Sequence, residues 1–194
     1  MRKLILFIFT WLLASGLSAQ EAKTGLDNNT AFYEGESLSY IISPPENFVM
    51  VEHEAEVDGY SFAFIPDGER YDSAQVRIGI NIFRIKADKE KSVTLDDIIA
   101  EDTTALRKHF GESLITYEVD SVVTKSGHAI RSLYLNDTTR FIPNAMISYL
   151  YGGTEILIFD LTLVLDYPRF MAEQHYMDCL KKLKILVKGK LETG

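Results

Sequence analysis

A single cysteine, Cys179, stands in the whole chain, so no intramolecular disulfide can brace it. The single tryptophan, Trp11, falls in the opening apolar run, which weakens any case for a sugar-binding surface built on exposed indoles. Apolar runs are short. The longest, "LILFIFTWLLASGL" at residues 4–17, stops after 14 residues, whereas a membrane-spanning helix needs ~20. The motifs of common catalysis are missing too: there is no Gly-x-Ser-x-Gly elbow, no phosphate-binding Gly-Lys-Ser/Thr loop, no dinucleotide fingerprint and no His-Glu-x-x-His. Hydrolysis by residues brought together from distant positions stays open.

What is present begins with Arg2 and Lys3 ahead of that apolar run and small residues ending at Ala19. This is the charge, core and cleavage order of a secretory signal peptide, with the cut expected after Ala19. Residues 20–32 read as a flexible lead-in, 33–188 as a single domain and 189–194 as a tail. The expectation is an exported protein, periplasmic or extracellular, with no membrane insertion in its mature form.

Positive charge is scarce in the first third. Residues 21–72 hold 12 acidic side chains against Lys23 and Arg70, while residues 73–194 hold 16 of each sign. A local anionic excess argues against nucleic acid or anionic lipid and for a basic partner.

Periodicity predicts strands at 37–42, 47–57, 60–65 and 74–86, then a hairpin from "NAMISYLY" into "TEILIFDLTLVLD" across Gly152-Gly153. Asp58-Gly59, Asp67-Gly68 and Ser126-Gly127 supply further turns. The strand at 154–166 is apolar on both sides and belongs mid-sheet. Thr94 with Asp97 forms a capping-box pattern opening a helix at Leu95–Phe110, closed by Gly111. A second helix starts at Pro168 and runs to about Leu183, with Lys181, Lys182 and Lys184 at the negative end of its dipole.

The stretches "YEGESLSYIISPPENF", "YSFAFIP", "VRIGINIF", "TLDDII", "VVTKSGHAI", "GGTEILIFDLTL" and "LKKLKIL" follow one another in an order that resembles the PsbP-like and Mog-like superfamily, which includes DcrB-like bacterial envelope proteins. Where many members have a Pro-x-Gly-Trp turn, this chain has Pro45-Glu46-Asn47-Phe48. The resemblance implies an α+β fold with an antiparallel sheet sandwiched between helices in three layers, α/β/α. It also implies roles as accessory subunits or binding proteins, with no shared catalytic constellation to transfer.

Several residues are candidates for function. In "EHEAEVD" the carboxylates Glu52, Glu54, Glu56 and Asp58 fall at every second position; on a strand they would line one solvated face, with His53 turned to the opposite side beside Val49, Val51 and Val57. Four carboxylates along an extended strand cannot converge on one cation, so a wet face or a basic protein's docking surface is the better reading. Asp67, Glu69 and Asp72 around Gly68 extend that surface but lack the spacing of a calcium loop. His175 and Cys179, four apart on a helix, could face one metal, yet the pair reads better as packing around a buried thiol. Asp160 interrupts an apolar strand and should meet Arg77, Arg84 or Arg131 in a buried ion pair, or else mark a cleft. No cofactor or catalytic residue is implied. The leading expectation is a non-catalytic accessory protein binding a partner through a sheet face or its acidic first third; the alternatives are a small hydrolase with a cleft near Asp160 and a carrier of a small ligand or cation.

Overall fold

β-Branched and aromatic residues dominate "VRIGINIF" and "EILIFDLTL", and these two stretches become the adjacent central strands of the molecule. The computed structural model describes residues 18–19, 23–27, 29–35, 38–84, 94–111, 114–124, 127–137, 145–152, 155–163 and 168–187. In chain order the elements are β1 (Ser18–Ala19), β2 (Lys23–Asp27), β3 (Thr30–Glu34), β4 (Leu38–Ile42), β5 (Phe48–Val51), α1 (His53–Val57), β6 (Phe62–Pro66), β7 (Val76–Arg84), α2 (Leu95–Phe110), β8 (Leu114–Val123), β9 (Ala129–Asp137), β10 (Ala145–Tyr151), β11 (Glu155–Leu163), α3 (Arg169–Lys182) and β12 (Lys184–Val187). The larger sheet is antiparallel in the order β5-β6-β7-β11-β10-β9-β8, with β1 added beside β7.

Side chains alternate between the two faces of a strand, and each face carries its own core. Ile78, Ile80 and Ile82 of β7 lie with Leu157, Phe159 and Leu161 of β11 on one side. Phe83, Ile156 and Ile158 lie on the other, with Ile147 and Tyr149 of β10. The β7/β11 register runs from Val76 opposite Leu163 to Arg84 opposite Glu155. Burying a side chain the size of Phe159 contributes roughly 1.5–3 kcal/mol.

The second face is covered by α2, whose Ile98, Ile99 and Leu106 are buried. The first face departs from the expected plain helical layer. There α3, through Ala172, Tyr176, Cys179 and Leu180, shares its core with Tyr33, Leu38, Tyr40 and Ile42 of a second antiparallel sheet, ordered β12-β4-β3-β2. The stretch 20–32 supplies β2 and the first residues of β3 to this sheet. The Tyr176 hydroxyl donates to the Phe159 carbonyl at 2.9 Å, fixing α3 to β11.

The expected strand at 47–57 is corrected: β5 ends at Val51, and His53–Val57 coil into one short helix. Glu and Ala favour helix over strand. Ala55 is buried and its carbonyl accepts from the Asp58 and Tyr60 amides, at 3.0 and 3.1 Å. Gly59, at φ 85°, then turns the chain into β6, a conformation that suits glycine.

At α2 the capping box is complete. The Thr94 hydroxyl accepts from the Asp97 amide at 3.2 Å, and the Asp97 carboxylate accepts from the Thr94 amide at 2.9 Å. Thr94→Ala should lower stability by about 1 kcal/mol, read as a reduced urea midpoint with an unchanged slope.

Candidate functional site

Coiling of 53–57 redistributes the acidic residues. Successive residues in a helix turn by ~100°, so Glu52 and Glu56 share a side while Glu54 points elsewhere. All three are exposed. The His53 side chain is 92% exposed and Val57 is 69% exposed, so neither packs inward as an alternating strand would require.

Asp58 behaves differently from its neighbours. It is half-buried, accepting from the Tyr71 hydroxyl at 3.0 Å and from the Arg77 guanidinium at 3.3 Å. Arg77 also lies 5.1 Å from the centre of the Tyr71 ring. Burial, and then the charge of Asp58, push the Tyr71 hydroxyl well above its usual pKa, so it stays a donor. This clasp ties Asp58, at the end of α1, to the 67–75 connection; Glu52, Glu54 and Glu56 on the first segment and Asp67, Glu69 and Asp72 on the second are all exposed. Glu69 accepts from the Gln75 amide at 3.2 Å, and Asp72 pairs with Arg70 at 3.4 Å. Among the described residues no group of three or more His, Cys, Asp or Glu could hold a metal ion.

The expected ion pair of Asp160 is also corrected. Arg77 is engaged by Asp58, Arg131 by Asp96 and Glu118, and the Arg84 side chain lies outside the described residues. Asp160 is 4% exposed; it accepts from the Tyr60 hydroxyl at 2.9 Å and sits 3.5 Å from the Thr162 hydroxyl. Burial pushes its carboxyl up to about 6, against the opposing Tyr60 hydrogen bond, and the nearby Asp102 raises it further. The Tyr60 ring reaches Asp160 by lying across β7, where Gly79 stands opposite Asp160.

Asp102 was not singled out by its sequence. It lies in the inner stripe of α2 between Ile99 and Leu106, is 4% exposed, and accepts from the Tyr149 hydroxyl on β10. Burial pushes its carboxyl up to about 6 as well, with the Tyr149 bond opposing and Glu101 adding to the rise. The signal was available, since a carboxylate three or four residues from Ile98, Ile99 and Leu106 must share their face. Nearby, Asn81 accepts from the Ser61 amide at 2.9 Å, while its Nδ2 meets no acceptor among the described residues. A polar seam thus runs under α2 through Tyr149, Asp102, Asp160 and Tyr60.

His175 and Cys179 do not converge. The His175 ring packs 5.0 Å from Phe48, and the Cys179 thiol lies 3.7 Å from the Ser43 carbonyl. Burial pushes that thiol up to about 12, which makes it a poor nucleophile and metal ligand at neutral pH. The hydrolase reading required Asp160 beside a histidine or arginine in a concavity. Asp160 instead meets a tyrosine and a threonine inside a packed core.

No family model matches the chain, and no curated protein matches it. Among solved structures, the solution structure of cyanobacterial PsbP (CyanoP) from Synechocystis sp. PCC 6803 is similar with a TM-score of 0.50, covering 86% of this chain and 98% of that one at 11% identity. A likeness at so low an identity is one of backbone arrangement, and it does not reach the Mog-like or DcrB-like branches. The chain, mostly antiparallel sheet with a few helices, has a PsbP-like fold.

Proposed function

We propose that this chain is an exported, non-catalytic accessory protein that takes a basic protein partner on the acidic surface formed by α1 and the 67–72 turn. The observation that carries this reading is the Asp58–Tyr71–Arg77 clasp, which joins two acidic segments and leaves six of their carboxylates in water. Three further features support it: the leader-like opening, the burial of Asp102, Asp160 and Cys179 away from any substrate, and the PsbP-like fold.

Such a surface acts through long-range attraction, which raises association rates and weakens with salt. The test is a combined variant, Glu52→Gln, Glu54→Gln, Glu56→Gln, Asp67→Asn, Glu69→Gln and Asp72→Asn, with Asp58 kept because it holds the clasp. Envelope proteins captured by the wild type at low salt should include basic ones that the variant retains at least about tenfold more weakly. Raising the salt should erase the difference. Equal capture by both proteins at low salt would remove this surface from consideration.

A further inference from the structure

Helix α2 meets the sheet through a stripe of Ile98, Ile99 and Leu106 interrupted at its centre by Asp102. Closing the helix takes that carboxyl out of water. What it finds there is the Tyr149 hydroxyl, with Asp160 nearby on β11 and Glu101 beside it on α2. Asp160 in turn faces the Tyr60 and Thr162 hydroxyls. Among the described residues, Arg131 is engaged by Asp96 and Glu118, Arg107 by the Thr116 hydroxyl at 3.1 Å, and Arg77 by Asp58. Lys108 is exposed. A tyrosine hydroxyl supplies one donor, too little to hold a full negative charge in an apolar setting.

We propose that α2 is a pH-sensitive cover, closed on the sheet in acid and released from it as the pH rises, because closure buries a carboxyl that meets no cation among the described residues. Closed, Asp102 holds its proton up to about pH 6; released into water, it returns toward its ordinary 3.8. Rising pH therefore favours the released form only between those two values. There the released population grows about tenfold per pH unit, for roughly a hundredfold in all from one carboxyl, and levels off above pH 6.

Hydrogen–deuterium exchange of the full chain, corrected for intrinsic chemical rates and followed by mass spectrometry from pH 4 to 7.5, reads this opening directly. Peptides from α2 should lose about a hundredfold of protection between pH 4 and 6, and should be less protected throughout than peptides from β7 and β11, which exchange only when the whole domain unfolds. Asp102→Asn, which keeps an acceptor for Tyr149, should make α2 protection independent of pH. Asp102→Leu, which completes the apolar stripe, should do the same and guards against a misfolded amide variant. Tyr149→Phe should retain the dependence and move it to higher pH, since the lost hydrogen bond had favoured the charged carboxylate. The proposal is overturned by α2 protection that does not change with pH, by the same pH dependence in Asp102→Asn or Asp102→Leu, or by α2 protection equal to that of β11 at every pH, which would mean that α2 opens only with the whole domain.

Discussion

Gly79→Ala should destabilise the protein by roughly 2–6 kcal/mol, and Gly79→Val should leave little folded chain. A Cβ built at Gly79 would stand 2.2 Å from Tyr60 Cε1, 2.4 Å from Cδ1 and 2.5 Å from Cζ. Those atoms belong to a buried ring, not to the free end of a flexible side chain. The ring cannot retreat cheaply, because its hydroxyl is held 2.9 Å from Asp160. Overpacking a filled core costs about 1–3 kcal/mol, and a ring pushed aside leaves the buried carboxyl without its donor, for a further ~1–3 kcal/mol. Against a total stability of ~5–15 kcal/mol for a domain, the sum is severe. Tyr60→Phe separates the two parts, since it keeps the ring and removes only the donor, and should cost the second part alone. Urea unfolding of wild type, Gly79→Ala, Tyr60→Phe, Tyr60→Ala and the Gly79→Ala/Tyr60→Ala pair closes the cycle. Strong coupling in that pair is expected, because without the ring an added methyl has room. A Gly79→Ala protein as stable as wild type would contradict this account.

That contact is not written in any short stretch of the sequence. Tyr60 and Asp160 are 100 residues apart, and only the pairing of β7 with β11 places Gly79 opposite Asp160. Asp160 was conspicuous as a charge in an apolar strand, but its partner was a matter of sheet order, which one sequence does not display. The small sheet was hidden for a related reason. Strand β12, "KILV", is four residues that pair with Leu38–Ile41 far upstream, and so short a run has no period to read. The α1 segment misled through its own regularity. Polar residues at every second place mimic a strand, and five residues suit either conformation until burial of Ala55 decides. The parts with local instructions were legible: the Thr94–Asp97 box opens α2 at Leu95, and β10 and β11 pair antiparallel as the expected hairpin, its Gly153 lying outside the described residues. Of the seven acidic candidates in the first third, six are exposed, whereas Asp58 is a structural pin held by Tyr71 and Arg77.

Stability should fall as the pH rises from about 4 to about 6, the reverse of ordinary acid unfolding. The usual buried carboxylate is paired, its pKa is depressed, and protonation removes stability as pH falls. Asp160 and Asp102 run the other way. Burial raises each to about 6 in the folded state, against 3.8 for an ordinary aspartate. Their contribution is therefore fully present below about pH 4 and is lost as pH climbs through 6. A shift of about two units is worth ~3 kcal/mol per group, far more than the exposed pairs that pull in the opposite direction. Arg70–Asp72 is mostly in water, and such surface pairs contribute ~0–1 kcal/mol. The half-buried Arg77–Asp58 pair and the Arg131 contacts need ionised carboxylates, so they set the lower limit, and stability should peak near pH 4. Urea midpoints taken each half unit from pH 3.5 to 7.5 give the profile. Asp160→Asn should remove about half of the decline while accepting the same hydrogen bond from Tyr60, and joining it to Asp102→Asn should flatten the curve. Because an amide carries no ionisation cost, the double variant should be the more stable protein at pH 7 and the equal of wild type at pH 4. Midpoints that rise steadily from pH 4 to 7 in the wild type would mean that both carboxyls are ionised inside the fold, and that a cation reaches them.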